Sequence, residues 1–399
     1  MTRPNAFSVR FPVKIHSGKA ALDHLPVELA AMNTQKPLML TTRDMREHGR
    51  MKPLIHAYKD SGQTIGIHSG IEPVLTVNLL KELAGLYRNH GYDAIVSVGG
   101  GAVMDAAKAL NIVVSEGLEA FDEIMKGRRA PGHLKPLVHV ATEQDTGFEA
   151  MGSLQAGADR VSFFHLMPQL AIIDPRMVKP GTPATLAMQA MTALGLSWNA
   201  FTAAGKNPLT DAYATLAARS VCESLKPAAQ LSLCADHRVM LAGAQVMAAS
   251  AASSISGTWL MPVAEAVSDF CARPLPDAVA VLMAPVAAVQ TAAYQLDTAG
   301  MFRAMAGDDR YAATPSAQRP QAAFHLLQAY QNDWHLASGG CTPRILSDLG
   351  ISESSLPELA DAALSRISEM DVNHAMRIFE SAFSGRLFQW EAPAAMDED

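Results

Sequence analysis

Basic residues are too few in this chain to build a surface for nucleic acid. The 399 residues include 32 lysines and arginines against 39 acidic residues, and the formal net charge is -7. No run of lysine or arginine exceeds two residues. This balance excludes a broad positive surface that would follow a phosphate backbone. Nucleic acid is therefore not an expected partner.

Cysteine is also scarce. The four cysteines, Cys222, Cys234, Cys271 and Cys341, lie far apart in the chain and form no CxxC pair. Neither a cysteine-based zinc site nor a dense disulfide framework is indicated by this spacing. A reducing, cytoplasmic environment is the expected one.

Signals for export or membrane insertion are missing from the sequence. Residues 1–10 carry arginines, but no apolar segment of a secretory leader follows them. The stretch 278–296 has no charged residue, yet it contains Pro285 and two glutamines and is rich in alanine. This composition favours a buried core helix over a membrane span, so no membrane partner is predicted.

The pattern of apolar residues changes near the middle of the chain. In the first half, short β-rich runs alternate with helical stretches such as 77–90, an order typical of a parallel α/β sheet. The predicted strands are 37–41, 63–68, 95–98, 137–141 and 170–173. From Thr185 onward, long segments rich in Ala, Leu and Met predict helices. With a Pro/Gly-rich break at 179–183, we predict an α/β dinucleotide-binding domain over 1–179 and an all-helical domain over 180–399.

Three consecutive glycines, Gly99, Gly100 and Gly101, stand between the strand 95–98 and a helical pattern that begins at Ala102. Glycine lets a backbone approach a pyrophosphate closely at the N-terminus of a helix. This arrangement predicts nucleotide binding. A tight turn that holds no ligand remains an alternative, because glycine serves turns in general.

With two further motifs, this turn resembles the iron-containing (group III) alcohol dehydrogenases, relatives of dehydroquinate synthase and glycerol dehydrogenase. The family motif GGGSxxDxAK corresponds to residues 99–108, its TTAGTGSE loop to 142–149, and its strand with an Asp-Pro turn to 167–175. The resemblance implies a Rossmann-like domain, a helical domain, a homodimer, and NAD(P)-dependent chemistry on an alcohol or aldehyde in the cleft between the domains. The cofactor-binding residues that it implies are Thr42, Gly99, Gly100, Gly101, Asp105, Thr142, Thr146 and Phe148.

The cofactor motifs depart from the family pattern at several positions. Asp145 replaces a glycine of the loop, and its charge would repel a pyrophosphate unless the side chain points away. Phe148 replaces a small serine. Thr42 stands where the family has a ribose-selecting Asp, and Arg43 follows it, a pair that would favour NADP over NAD. Arg43 as a plain surface charge is an equal alternative, so both cofactors remain open.

The departures are larger at the metal site that the resemblance implies. The family holds a divalent metal, usually iron, with one Asp and three His. The positions of the Asp and of the His four residues later hold Gln189 and Ala193 here. The positions of the two remaining His ligands, fourteen residues apart, hold Met261 and Leu275. A shift of the alignment by two residues would place Asp277 at the last of these positions.

The scarcity of histidine supports the same conclusion without an alignment. Of the 13 histidines, only His237 lies between residues 174 and 320, the span that would supply all three imidazoles. Neutral amide, methyl and thioether groups do not replace carboxylate and imidazole around such a cation. We therefore expect no iron or zinc. A cluster of Glu265, Asp269 and Asp277 is an alternative, although a solvated acidic helix face is favoured.

Two functions follow from these observations. The first is an NAD(P)-dependent alcohol dehydrogenase or aldehyde reductase that works without the metal. Glu265, at the position of a further family His that is not a ligand, would be its proton donor if burial kept the carboxyl neutral. His139 and His165 are weaker candidates. The second is a non-catalytic descendant that acts as a nucleotide-binding, regulatory or assembly protein.

Overall fold

A computed structural model describes residues 6–59, 61–142, 148–157, 159–178, 181–224 and 235–387. The chain forms two compact units. The sheet unit comprises residues 10–181 and 233–253, and the helical unit comprises residues 1–9, 182–232 and 254–399.

The sheet unit is built on six parallel strands in the order β1-β8-β5-β4-β2-β3. Two further strands, β6 and β7, form a separate antiparallel hairpin. The strands are β1 Lys14–Ser17, β2 Pro37–Thr41, β3 Gly66–His68, β4 Ala94–Val98, β5 Leu137–Val140, β6 Ser153–Ala156, β7 Asp159–Ser162 and β8 Leu170–Ile173.

Helices connect these strands and build the rest of the described chain. They are α1 Leu25–Ala31, α2 Arg43–Glu47, α3 Lys52–Ala57, α4 Val77–Asn89, α5 Gly101–Glu116, α6 Leu118–Met125, α7 Pro183–Thr202, α8 Pro208–Ser224, α9 Ala235–Ser253, α10 Leu260–Cys271, α11 Leu275–Tyr294, α12 Ala299–Ala306, α13 Asp308–Ala313, α14 Arg319–Ala337, α15 Leu356–Leu364 and α16 Val372–Ser384.

The central strands are buried on both faces, which explains their continuous apolar sequences. Every residue of β2 and β4 is buried. Alternate side chains enter two separate cores, so that Leu38 and Ile95 pack in one and Met39 and Val96 in the other. The predicted parallel α/β sheet, followed by a helical region, is confirmed.

The helical unit is organised around α7, which packs against α8, α10, α11 and α14. Nearly all of α7 is buried, as is typical of a helix that is apolar on every side. By length and composition α11 could cross a membrane, but 83% of its most apolar window is buried inside the protein. It is thus the buried core helix predicted for 278–296.

The two units do not coincide with the predicted domains 1–179 and 180–399 at every residue. Helix α9 clusters with the sheet unit, because it packs on β8 and on the short 3-10 helix Phe148–Ala150. Arg238 of α9 also donates a hydrogen bond to the carbonyl oxygen of Val178 at 3.0 Å. The domain boundary therefore stays a prediction, and residues 179 and 180 lie outside the described residues.

Candidate cofactor site

The order of the strands reverses between β2 and β4. From β2 the chain runs outward to β3, whereas β4, β5 and β8 follow on the other side of β2. In open α/β sheets, ligands bind beyond the carboxyl ends of the strands at such a reversal. The two strand ends are joined here by a hydrogen bond of 2.8 Å from Thr41 Oγ1 to the carbonyl oxygen of Val98.

The glycine turn lies at this point of the sheet, directly after β4. Gly99 has a φ of +156°, and a Cβ there would lie 2.7 Å from Cγ2 of Val103. Gly100 is the N-cap of α5 and provides no side-chain hydrogen bond to the first turn of the helix. The backbone N–H groups of that turn, together with the positive end of the helix dipole, are suited to an anion.

The other predicted cofactor residues lie at neighbouring strand ends where the structure describes them. Thr42 follows β2 and caps α2, its Oγ1 accepting a hydrogen bond from Met45 N at 3.4 Å. Arg43 is exposed beside it. Thr142 follows β5 and is buried. Thr146, Asp145 and the side chain of Phe148 lie outside the described residues.

Asp105 and Lys108, one and two turns into α5, face away from solvent. Asp105 Oδ1 accepts a hydrogen bond from Gln155 N at 3.2 Å, and Lys108 is only 1% exposed. The sequence predicts Asp105 as a cofactor-binding residue and does not predict its hydrogen bond to β6. The spacing of Asp105 and Lys108 is a weak signal for such a bond, because charged residues three positions apart are ordinary on a helix surface.

A buried histidine lies beneath the same helix. His139 of β5 is in direct register with Ser97 of β4, and its Nδ1 is hydrogen-bonded to Ser97 Oγ. The ring is fully buried. Burial, reinforced by the positive charge of Lys108, holds the pKa of His139 well below its ordinary value. The imidazole is therefore neutral, and its position inside the sheet fits a structural role.

We expect the replacement His139→Gln to reduce the loss of stability on acidification. In the unfolded chain this histidine takes up a proton below about pH 6.5, but in the folded protein it does not. As the pH is lowered below about 6.5, this histidine should therefore reduce the free energy of unfolding by up to about 1.4 kcal/mol per pH unit. The glutamine variant should lack this part of the loss. Urea unfolding between pH 5 and 7 measures it. The exposed His56→Gln is the matched control, and equal slopes in the two variants would contradict the assignment.

Helix α7 carries two of the positions assigned to metal ligands, Gln189 and Ala193. The side of α7 that meets α10 and α11 is marked by Gly195, where a Cβ would lie 2.8 Å from Val279 Cγ1 and 3.3 Å from Leu260 Cδ2. At 3.6 residues per turn, Gln189 is about 120° and Ala193 about 160° away from Gly195 around the helix. Gln189 and Ala193 thus lie on another side of α7 than the contact at Gly195, and their assignment to the metal positions stays a prediction.

The residues that do occupy this junction were not singled out from the sequence. Asn199 lies at this junction together with Gly195, and its Oδ1 accepts a hydrogen bond from Leu260 N at 3.0 Å. Thr192, two turns before Asn199 on the same face of α7, is buried. A glycine within an otherwise regular helix is the signal that could have located the contact, since it permits close packing.

Met261 and Glu265 lie on α10, and Leu275 begins α11. Glu265 Oε2 is 3.8 Å from one terminal nitrogen of Arg366. The other terminal nitrogen of Arg366 donates a hydrogen bond of 2.8 Å to Asp269. The proton-donor role of Glu265 stays a prediction.

The donor chemistry of these residues does not fit an iron or zinc ion. The predicted ligand positions offer an amide, a methyl group, a thioether and an alkyl chain, which are poor substitutes for carboxylate and imidazole. Within the described parts of the chain, no three His, Cys, Asp or Glu side chains are grouped closely enough to hold a metal. His237 is exposed on α9, in the sheet unit.

Comparison with known proteins relates the chain to one enzyme family. The model described as iron-containing alcohol dehydrogenase matches residues 12–175. Choline dehydrogenase of Bacillus subtilis is 28% identical over 225 residues, which are 54% of this chain and 56% of that protein. Long-chain-alcohol dehydrogenase 1 of Geobacillus thermodenitrificans is 22% identical over 395 residues, 95% of this chain and 97% of the other.

The fold is shared with solved structures of similar size. Sulfoacetaldehyde reductase from Bifidobacterium kashiwanohense in complex with NAD+ superposes with a TM-score of 0.78 at 20% identity, over 96% of this chain and 100% of that one. The chain is thus similar over residues 12–175 to the iron-containing alcohol dehydrogenases, and it shares its overall fold with this reductase.

Proposed function

We propose that the protein is an NAD(P)-dependent oxidoreductase that interconverts a small alcohol and its aldehyde without bound iron or zinc. The observation that carries the proposal is the uncapped start of α5 at the reversal of strand order, behind Gly99 and Gly100. A nicotinamide cofactor accepts or donates the hydride in such a reaction, and this helix end is suited to its pyrophosphate. The relatives named above support the alcohol or aldehyde as substrate class.

NADP is the favoured cofactor. A carboxylate at position 42 would repel a 2′-phosphate, but the residue there is Thr42, whose hydroxyl caps α2. Arg43 is exposed next to it and would supply the positive charge for that phosphate. NAD remains the alternative outcome of a binding experiment.

The donor set also favours a second candidate, a non-catalytic descendant that binds nucleotide or serves in regulation or assembly, for instance as a homodimer. A site without carboxylate and imidazole has lost the means to polarise an alcohol oxygen by a Lewis acid. In this case the cofactor would bind and no aldehyde would be reduced.

We expect NADPH-dependent reduction of short aldehydes by the purified protein to change by less than about twofold after exhaustive chelation, because no catalytic metal is removed. Metal analysis of the same sample should find iron and zinc far below one per chain. Stoichiometric metal, or activity that chelation abolishes and iron restores, would contradict the proposal. Cofactor binding without turnover over a broad aldehyde panel would favour the second candidate.

A pair of variants tests whether the cofactor binds at the glycine turn. Gly101 is exposed, and no atom lies within 4 Å of a Cβ built there, so Gly101→Asp should leave the fold intact. Its carboxylate would face the pyrophosphate, and we expect NADPH affinity to fall at least about tenfold. Gly101→Asn is the matched uncharged control of the same size, and it should lose clearly less affinity than Gly101→Asp.

A further inference from the structure

Lys108 is a buried cation with a specific pair of acceptors. Its Nζ donates hydrogen bonds of 2.8 Å to the carbonyl oxygens of Met151 and Ser153. Burial lowers the pKa of Lys108 to about 8, against the opposing effect of the negative charges of Asp105 and Glu149. The ammonium group is therefore directed at the backbone after β5, where it replaces lost hydration with charge-assisted hydrogen bonds.

Asp105 lies three residues earlier on α5 and holds the same stretch of chain. Its Oδ1 accepts the hydrogen bond from Gln155 N, two residues beyond Ser153. Burial raises the pKa of Asp105 to about 6, although Lys108, the Gln155 N–H and Arg160 all act in the opposite direction. One face of α5 thus contacts backbone atoms of three residues in a segment of five.

The segment held in this way, residues 149–157, is also supported by the burial of Leu154 and by a hydrogen bond from Phe163 N to the carbonyl oxygen of Gly152. It contains the end of a short 3-10 helix and β6, whose only sheet partner in the described chain is β7. A two-stranded hairpin by itself is marginally stable. Helix α9 packs on the short 3-10 helix, and α5 packs on β6 beside its partner strand β7. The segment follows the loop 142–149, which carries predicted cofactor residues.

We propose that Asp105 and Lys108 are positioning residues that clamp the segment 149–157 onto α5, and that NADPH binding beside the glycine turn depends on this clamp. The second half of this statement rests on the proposed function. The first half concerns only the chain itself. In this view the two residues act on the cofactor through the backbone that they hold and do not contact it.

The clamp has a pH window, because both of its side chains must be charged to act fully. Below about pH 6 Asp105 takes up a proton and becomes a weaker acceptor, and above about pH 8 Lys108 loses one and becomes a weaker donor. The other titratable groups that face the pair are Glu149, Arg160 of β7 and the neutral His139 of β5. The segment should be held most firmly between these two limits.

Amide hydrogen exchange of the full-length protein tests the clamp directly. In Lys108→Met, which keeps the length of the side chain but has no donor, we expect amides of 149–157 to exchange at least about tenfold faster, while amides of β4 and β5 are unchanged. Lys126→Met, which removes an exposed lysine at the C-cap of α6, is the matched control and should leave the segment unaffected. Unchanged exchange in Lys108→Met would overturn the proposal.

A second variant covers the case in which Lys108→Met does not fold. Asp105→Asn keeps an acceptor for the Gln155 N–H but cannot titrate. In the parent, exchange of the segment, corrected for the intrinsic effect of pH, should accelerate below about pH 6, and this acceleration should be absent in Asp105→Asn. An identical profile in both proteins would overturn the assignment of Asp105.

Titration with NADPH separates this proposal from the proposed function. Weaker NADPH binding together with faster exchange in Lys108→Met supports both. Weaker binding with unchanged exchange would make Lys108 a direct cofactor ligand and overturn the clamp. If the parent binds neither NADPH nor NADH, the proposed function fails, and faster exchange in the variant still supports the clamp.

Discussion

Arg176→Ala is expected to lower the free energy of unfolding by about 2–3 kcal/mol, because it removes charge-assisted hydrogen bonds to the buried carboxylate of Asp174, a loss moderated by the partial exposure of the Arg176 side chain. Asp174 is 0% exposed at the end of β8. Arg176 donates to both of its carboxylate oxygens, from Nε at 2.9 Å and from a terminal nitrogen at 2.8 Å. Only backbone N–H groups, those of Leu22 and of residue 176 itself, would remain as donors.

The same contact sets the response of the fold to acid. Burial alone would raise the pKa of Asp174, but the hydrogen bonds from Arg176 and Leu22 hold it below its ordinary value of 3.8. The stabilisation is present above that value and is lost as the pH falls through the lowered pKa. Arg176→Ala should therefore lose stability at a higher pH than the parent does.

Two further variants separate an uncompensated charge from lost packing. Asp174→Asn in the Arg176→Ala background removes the buried charge, and we expect it to recover part of the lost stability. Arg219→Ala breaks an exposed ion pair with Glu223 and should leave the free energy of unfolding nearly unchanged. Urea unfolding measures all of them. Equal losses in Arg176→Ala and Arg219→Ala would refute the argument.

The elements that the sequence predicts well are those whose burial leaves a strong pattern. Strands β2 and β8 have the predicted bounds, and β4 differs from its prediction by one residue, because strands buried on both faces read as continuous apolar runs. Strand β1 was not predicted. Its sequence, KIHS, is largely exposed at the sheet edge, and its pairing depends on β8, which no local pattern reveals.

In the site as well, only features with a local pattern could be predicted. The glycine turn and Thr42 could be placed from the sequence, since a strand end followed by Gly or a capping residue is a local signal. The orientation of α7 could not be predicted from the sequence. Of its 20 residues 16 are buried, so polarity does not distinguish the face toward α10 from the face that carries Gln189. Tertiary packing alone identifies Gly195 as the point of contact.

The hairpin of β6 and β7 depends on a glycine that no sequence pattern singled out. A Cβ at Gly152 would lie 2.0 Å from the carbonyl oxygen of Phe163 and 2.8 Å from its carbonyl carbon. Phe163 N donates a hydrogen bond of 3.0 Å back to the carbonyl oxygen of Gly152, which closes the hairpin at its base. Because the obstructing atoms belong to the backbone, no rotation of a side chain can relieve the contact.

Gly152→Ala is therefore expected to cost about 3 kcal/mol, at the upper end for overpacked sites, and to break the hydrogen bond to Phe163. Urea unfolding gives the loss, and faster amide exchange at Phe163 locates it. Gly85→Ala is the control: it lies inside α4 with no atom within 4 Å of its Cβ, and it should raise stability by about 0.5–1 kcal/mol. If Gly152→Ala were as stable as the parent, the backbones of Gly152 and Phe163 would have to lie farther apart than the structure shows.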